Sequence, residues 1–72
     1  MFKKELEFFI RNQDELVKKH ERKTLAIKGS RVLGVYSTPL EAYIATQREH
    51  PLGTFMLQRC VPGPEAYTIT IN

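Results

Sequence analysis

From residue 2 to residue 20 the apolar residues Phe2, Leu6, Phe9 and Leu16, followed by His20, recur three, four and seven positions apart, and Ile10 and Val17 widen the stripe. That spacing lines one side of a helix, with Gln13 as a polar interruption of the seam. Asn12, with Glu15 three residues later, also has the form of a helix start, its side-chain oxygen able to accept an orphan backbone N–H. The segment therefore reads as one helix or as two with a break near Asn12, and the single helix is the reading adopted.

The period changes at residue 24. Thr24-Leu25-Ala26-Ile27 and Val32-Leu33-Gly34-Val35-Tyr36 are rich in β-branched and aromatic residues and flank Lys28-Gly29-Ser30-Arg31. Gly29-Ser30 suits a two-residue hairpin loop, because glycine supplies the positive φ of a type II′ turn. Pairing through that turn sets Ile27 opposite Val32 and Leu25 opposite Gly34 on one face, and Ala26 opposite Leu33 on the other. Both faces then carry apolar weight. Thr38-Pro39-Leu40-Glu41 announces a second helix: Thr38 caps, Pro39 fits the first helical position, and Glu41 closes a capping box. Leu40, Tyr43 and Ile44 form its apolar positions, Ala42 and Ala45 allow close packing, and the His50-Pro51 and Leu52-Gly53 steps end it. Thr54 to Cys60 reads as a third strand, with Phe55 and Leu57 on one face and Met56 and Cys60 on the other. Beyond Pro62-Gly63-Pro64, Tyr67, Ile69 and Ile71 alternate with Thr68 and Thr70, the period of a half-buried strand.

These elements predict an α+β fold of order α-β-β-α-β: a small three-stranded sheet of order β2-β1-β3, both helices on one face, and a C-terminal candidate for a fourth strand. Residues 1–61 form a single domain in this reading, and 62–72 form the Pro-Gly-Pro corner and the C-terminal strand or tail.

The residues Asn12-x-x-Glu15-Leu16-x-Lys18-x-His20, Lys23-x-x-Ala26-Ile27-x-x-x-x-Val32-x-Gly34 and Ser37-x-x-Glu41-Ala42 resemble a family of short prokaryotic proteins classed as a domain of unknown function. The resemblance covers roughly residues 9 to 60 and rests on structural punctuation. It departs at two places: the family has an aromatic residue near position 25 and a glycine near 22, where this chain has Leu25 and Arg22. It implies a helix, hairpin, helix, strand fold and a small partner of another protein, and it brings no activity, cofactor or catalytic residue.

Composition narrows the function classes. Seventy-two residues at 42% hydrophobic suit one small soluble domain with a thin core, and exclude both a two-domain enzyme and a disordered chain. The longest apolar runs fall far short of the roughly 20 residues of a membrane helix. The opening Met1-Phe2-Lys3-Lys4-Glu5 lacks the apolar stretch of a signal peptide, so a cytoplasmic location is expected. A lone cysteine, Cys60, excludes an internal disulfide, and with only two histidines, His20 and His50, no metal-site spacing is present. No pair of carboxylates or Cys/His arrangement stands out as catalytic. Asp14 with Lys18 and Glu15 with Lys19 are ordinary i,i+4 pairs. The chain is read as non-enzymatic, with no cofactor and no small-molecule substrate.

Two binding readings remain. In the first, the tail Tyr67-Thr68-Ile69-Thr70-Ile71 pairs in cis as a fourth strand or adds to the sheet of a second copy or of another protein, with Tyr67, Ile69 and Ile71 filling alternate pockets. A homodimer is the simplest such assembly, and the sheet face left half open by two helices on the other side is a second surface through which the chain could dimerise or dock. The alternative follows from charge. Of the 11 basic residues, nine fall in residues 1–36 beside five acids, which leaves two basic residues and three acids in the second half. A nucleic-acid-binding module would use this first half, with Lys23, Lys28 and Arg31 around the hairpin as its contacts.

Overall fold

A computed structural model of the chain describes residues 2–63 and residue 66. Helix α1 runs unbroken over Lys3–His20. Asn12 starts no second helix; its side-chain amide donates instead to the Phe8 carbonyl one turn back (2.9 Å). Glu5 in the first turn and Lys18, Lys19 and His20 in the last complement the helix dipole. Phe9 is fully buried, and Phe2, Leu6, Phe8, Leu16 and Val17 pack around it. Ile10, expected on the stripe, lies at its outer margin and is 46% exposed.

The chain leaves α1 through Arg22, whose φ of 67° is in the left-handed region. The Arg22 N–H donates to the Cys60 carbonyl and the Cys60 N–H to the Lys23 carbonyl, both at 2.7 Å. This turn is thereby tied to the strand that ends the domain.

Strand β1 (Thr24–Lys28) and strand β2 (Arg31–Tyr36) form the expected hairpin, with Lys28 opposite Arg31 and Gly29 at φ 64° in the two-residue loop. The register departs from expectation beyond Val32. Ile27 does face Val32, but a bulge at Leu33 moves Ala26 opposite Gly34 and Leu25 opposite Val35. Gly34 lies beneath the ring of Tyr36, two residues on along the same face: a Cβ there would stand 2.8 Å from ring carbons.

Thr38 accepts the Glu41 N–H at 3.1 Å, and helix α2 occupies Pro39–Gln47 as its capping signals predict. A turn follows in which the Thr54 N–H and hydroxyl both donate to the Pro51 carbonyl (3.1 and 2.6 Å), with Gly53 at φ 91° in the position that asks for glycine. Strand β3 (Met56–Arg59) then pairs antiparallel with β1, giving the order β2-β1-β3. The α+β class and this strand order match the sequence reading.

The placement of the helices does not. Leu25, Ile27, Met56 and Cys60 pack with α1, whereas Ala26, Leu57 and Phe55 pack with Ala42 of α2. Because successive strand residues point to opposite faces, α1 and α2 cover opposite sides of the sheet instead of sharing one. The cause is β1 itself, buried at its first four positions and apolar on both faces. A central strand of that kind needs a layer on each side.

Past β3 the described chain stays on the α1 side. Ala66 is fully buried in the cluster around Phe9. Two buried glutamines hold this stretch: Gln13 donates to the carbonyls of Val61 (2.9 Å) and Gly63 (3.0 Å), and Gln58 donates to those of Ala66 (2.6 Å) and Arg59 (3.0 Å). Ala66, although beyond residue 61, therefore belongs to the packed body.

Candidate interaction surface

Tyr67, Ile69 and Ile71, the partner-binding residues expected in the tail, lie outside the described residues. The basic residues of the alternative reading are described, and they do not converge. Lys23 precedes the first residue of β1 and Lys28 is its last, which separates them by roughly 16 Å along the strand. Lys28 and Arg31 do face each other at the hairpin end. The Gly29 N–H between them, however, donates to the Glu5 carboxylate at 2.7 Å. A negative charge is thus fixed against the very loop that would have to approach phosphate, and it lowers the positive potential there.

Cys60 is fully buried, and burial, with the charge of Glu21 second, pushes its thiol from 9.0 up to about 11. It packs as a small hydrophobe, and its thiolate is absent near neutral pH. Among the described residues no group of three or more His, Cys, Asp and Glu side chains is placed to hold a metal ion. A hollow of about 280 Å³ is lined by Arg11, Asn12, Asp14, Glu15 and Lys18. All five belong to α1, so the hollow is an open groove along one helix in which charges of both signs interleave, without the apolar enclosure of a ligand pocket.

The feature left without an internal role is the outer face of α2. The sequence pattern assigned Leu40, Tyr43 and Ile44 to the apolar positions of this helix. All three face outward, at 66%, 41% and 41% exposure, while the inward positions are Ala42 and Thr46. The reason lies in the surface beneath. That face of the sheet combines Ala26 of β1 and Gly34 of β2 with the larger Leu33, Tyr36 and Leu57, and over Ala26 and Gly34 small residues from the helix allow the closest approach. Thr46 is buried there, with its hydroxyl unpartnered. Small side chains facing one another across β1 and α2 were the signal available in the sequence. The three-and-four spacing of the larger residues masked it.

Helix α2 is consequently apolar on both sides, and the described chain covers one of them. Leu40, Tyr43, Ile44 and Gln47 form an uncharged stripe at i, i+3, i+4 and i+7 along the exposed side. Glu41 and Arg48, both exposed, flank it seven residues apart, near its two ends and on the same side. Among the described residues nothing covers this apolar stripe.

The fold and this surface define a small α+β domain whose sheet is enclosed between two helices. No known family model, no curated protein and no solved structure matches the chain. Among the described residues no helix is long and apolar enough to cross a membrane.

Proposed function

We propose that this chain is a small, non-enzymatic protein–protein interaction module that docks through the outer face of α2. The observation that carries the reading is the outward placement of Leu40, Tyr43 and Ile44 on a helix whose opposite side is already packed on the sheet. An apolar stripe rimmed by charged residues, on the outer side of a helix whose inner side is already packed, is surface suited to burial against another apolar face. The sheet faces, which the sequence reading offered for docking, are occupied by α1 and α2. The docking role moves to the helix surface.

The test is photo-crosslinking in cells from a reactive residue placed at Leu40 or Tyr43, with Ile10 on α1 as the control position. The same protein adduct should form from positions 40 and 43, not from 10, and should vanish when Ile44→Glu is added to a chain whose circular dichroism is unchanged. Adducts from position 10 alone, no protein adduct, or a nuclease-sensitive adduct would each overturn the reading, the last in favour of the basic first half.

A further inference from the structure

We propose that the occupant of the α2 face is a second copy of this chain, bound with its α2 antiparallel across a two-fold axis near Tyr43 and Ile44. This inference rests on the proposed function and specifies its partner.

The argument begins with the charges that border the stripe. Leu40, Tyr43, Ile44 and Gln47 carry none, so nothing within the stripe repels an identical stripe. Glu41 lies three residues before Ile44 and Arg48 four residues after it, on one flank. In an antiparallel helix pair related by a two-fold axis, each flank meets the same flank of its mate with the ends reversed. Glu41 of one copy then falls beside Arg48 of the other, and the reciprocal pair forms at the opposite end. A parallel two-fold pair turns that flank of each copy toward the opposite flank of its mate, so Glu41 and Arg48 of the two copies do not meet at all. The charge pattern selects the antiparallel one.

The size of the patch sets the strength. Leu40, Tyr43 and Ile44 offer a few hundred Å² of apolar surface per copy, below the roughly 800 Å² per partner of a standard stable interface. The association is accordingly weak, with a dissociation constant in the micromolar range or above, and the monomer retains its own core in the clusters on either side of the sheet. The copies therefore fold separately and pair by mass action.

Sedimentation equilibrium of the full chain across a wide concentration range, with Glu41→Arg, Arg48→Glu, the double swap and Ile44→Glu, tests the geometry. The wild-type chain should show a concentration-dependent monomer–dimer equilibrium, and Ile44→Glu should abolish it. Each single swap should weaken pairing roughly threefold to tenfold, since it converts two exposed ion pairs into like-charge contacts. The double swap should return pairing to near the wild-type level. That recovery has no explanation within one chain. Glu41 and Arg48 are about 10 Å apart along the helix, and both swaps oppose the helix dipole, so any effect on folding accumulates in the double variant. A wild-type chain monomeric at millimolar concentration, an Ile44→Glu chain that dimerises normally, or a double swap weaker than either single one would overturn the inference. A monomeric chain that still gives Ile44-dependent adducts to a different protein would refute the second copy and leave the interaction module standing.

Discussion

The amide of Gln13 provides the sharpest test of how the chain beyond β3 is held. Gln13 lies in the apolar seam of α1, 9% exposed, and its side-chain NH₂ donates to two carbonyls, those of Val61 and Gly63. In Gln13→Leu the volume is nearly kept and both donors are lost. Each lost hydrogen bond is worth about 0.5–1.5 kcal/mol. Gly63 is exposed and Val61 half-buried, so the freed carbonyls recover part of this from water, and the added apolar burial of leucine offsets part of the remainder. A net loss of about 1 kcal/mol follows, a fall in melting temperature of roughly 4–8 °C for a domain of this size. Gln13→Glu is the more severe change despite its smaller difference in shape, because an ionised carboxylate only accepts and would face two carbonyl oxygens. It should cost more than about 2 kcal/mol at pH 7 and recover in part when the carboxyl is protonated and can donate. Urea unfolding of the three proteins gives the global term. Amide exchange gives the local one: protection of the Ala66 N–H, which donates to the Gly63 carbonyl, should fall in both variants, while that of Ile27 in β1 changes only as far as global stability does. If Gln13→Glu proved as stable as wild type at pH 7, the two donor contacts would have no energetic role.

Two further outcomes follow from single residues. Arg22, at φ 67°, bears the roughly 1–2 kcal/mol cost of a left-handed side chain, so Arg22→Gly should raise the free energy of unfolding in urea by up to about 1 kcal/mol after the extra freedom of glycine in the unfolded chain is deducted, and Arg22→Val should lower it; the opposite order would show that the turn relaxes freely. Cys60, with its folded thiol raised from 9.0 to about 11, binds its proton more tightly folded than unfolded. Its contribution is complete below pH 9 and is lost as pH rises through 11, by about 2–3 kcal/mol at roughly 1.4 kcal/mol per pH unit. In pH-dependent unfolding, Cys60→Ala should lose that share of the alkaline slope, and an unchanged slope would refute it.

The parts of this fold legible in the sequence are those written in local backbone chemistry. Gly29 at a two-residue loop, Thr38 with Pro39 at a helix start, and Phe55 and Leu57 alternating with Met56 each state a conformation that the neighbouring residues alone can enforce. The bulge at Leu33 is of another kind. It brings Gly34 opposite Ala26 and beneath the ring of Tyr36, a fit between side chains that no turn signal announces. The role of Gln13 is hidden for a related reason. Gln13 breaks an apolar period, and a period cannot show that carbonyls of residues 61 and 63, some fifty positions away, will need donors at that spot.

The error over α2 has the largest functional consequence, and it follows from treating larger apolar residues as inward by default. A helix is placed by the closest approach that both surfaces permit. Opposite Ala26 and Gly34 that approach is reached with Ala42 and Thr46 inward, which leaves Leu40, Tyr43 and Ile44 in water. β1, apolar on both faces, is why the sheet takes a helix on each side, and its small residue Ala26 belongs to the face on which α2 settles with Ala42 and Thr46 inward. In β1, Leu25 and Ile27 face α1 while Ala26 faces α2. Enlarging Ala26 would push α2 away and disturb the stripe from the inside, without touching any residue of the proposed dimer surface. Among the described residues Ile10, Val35 and Leu52 are exposed singly, and α2 is the helix on which exposed apolar surface is contiguous, uncharged and bordered by opposite charges.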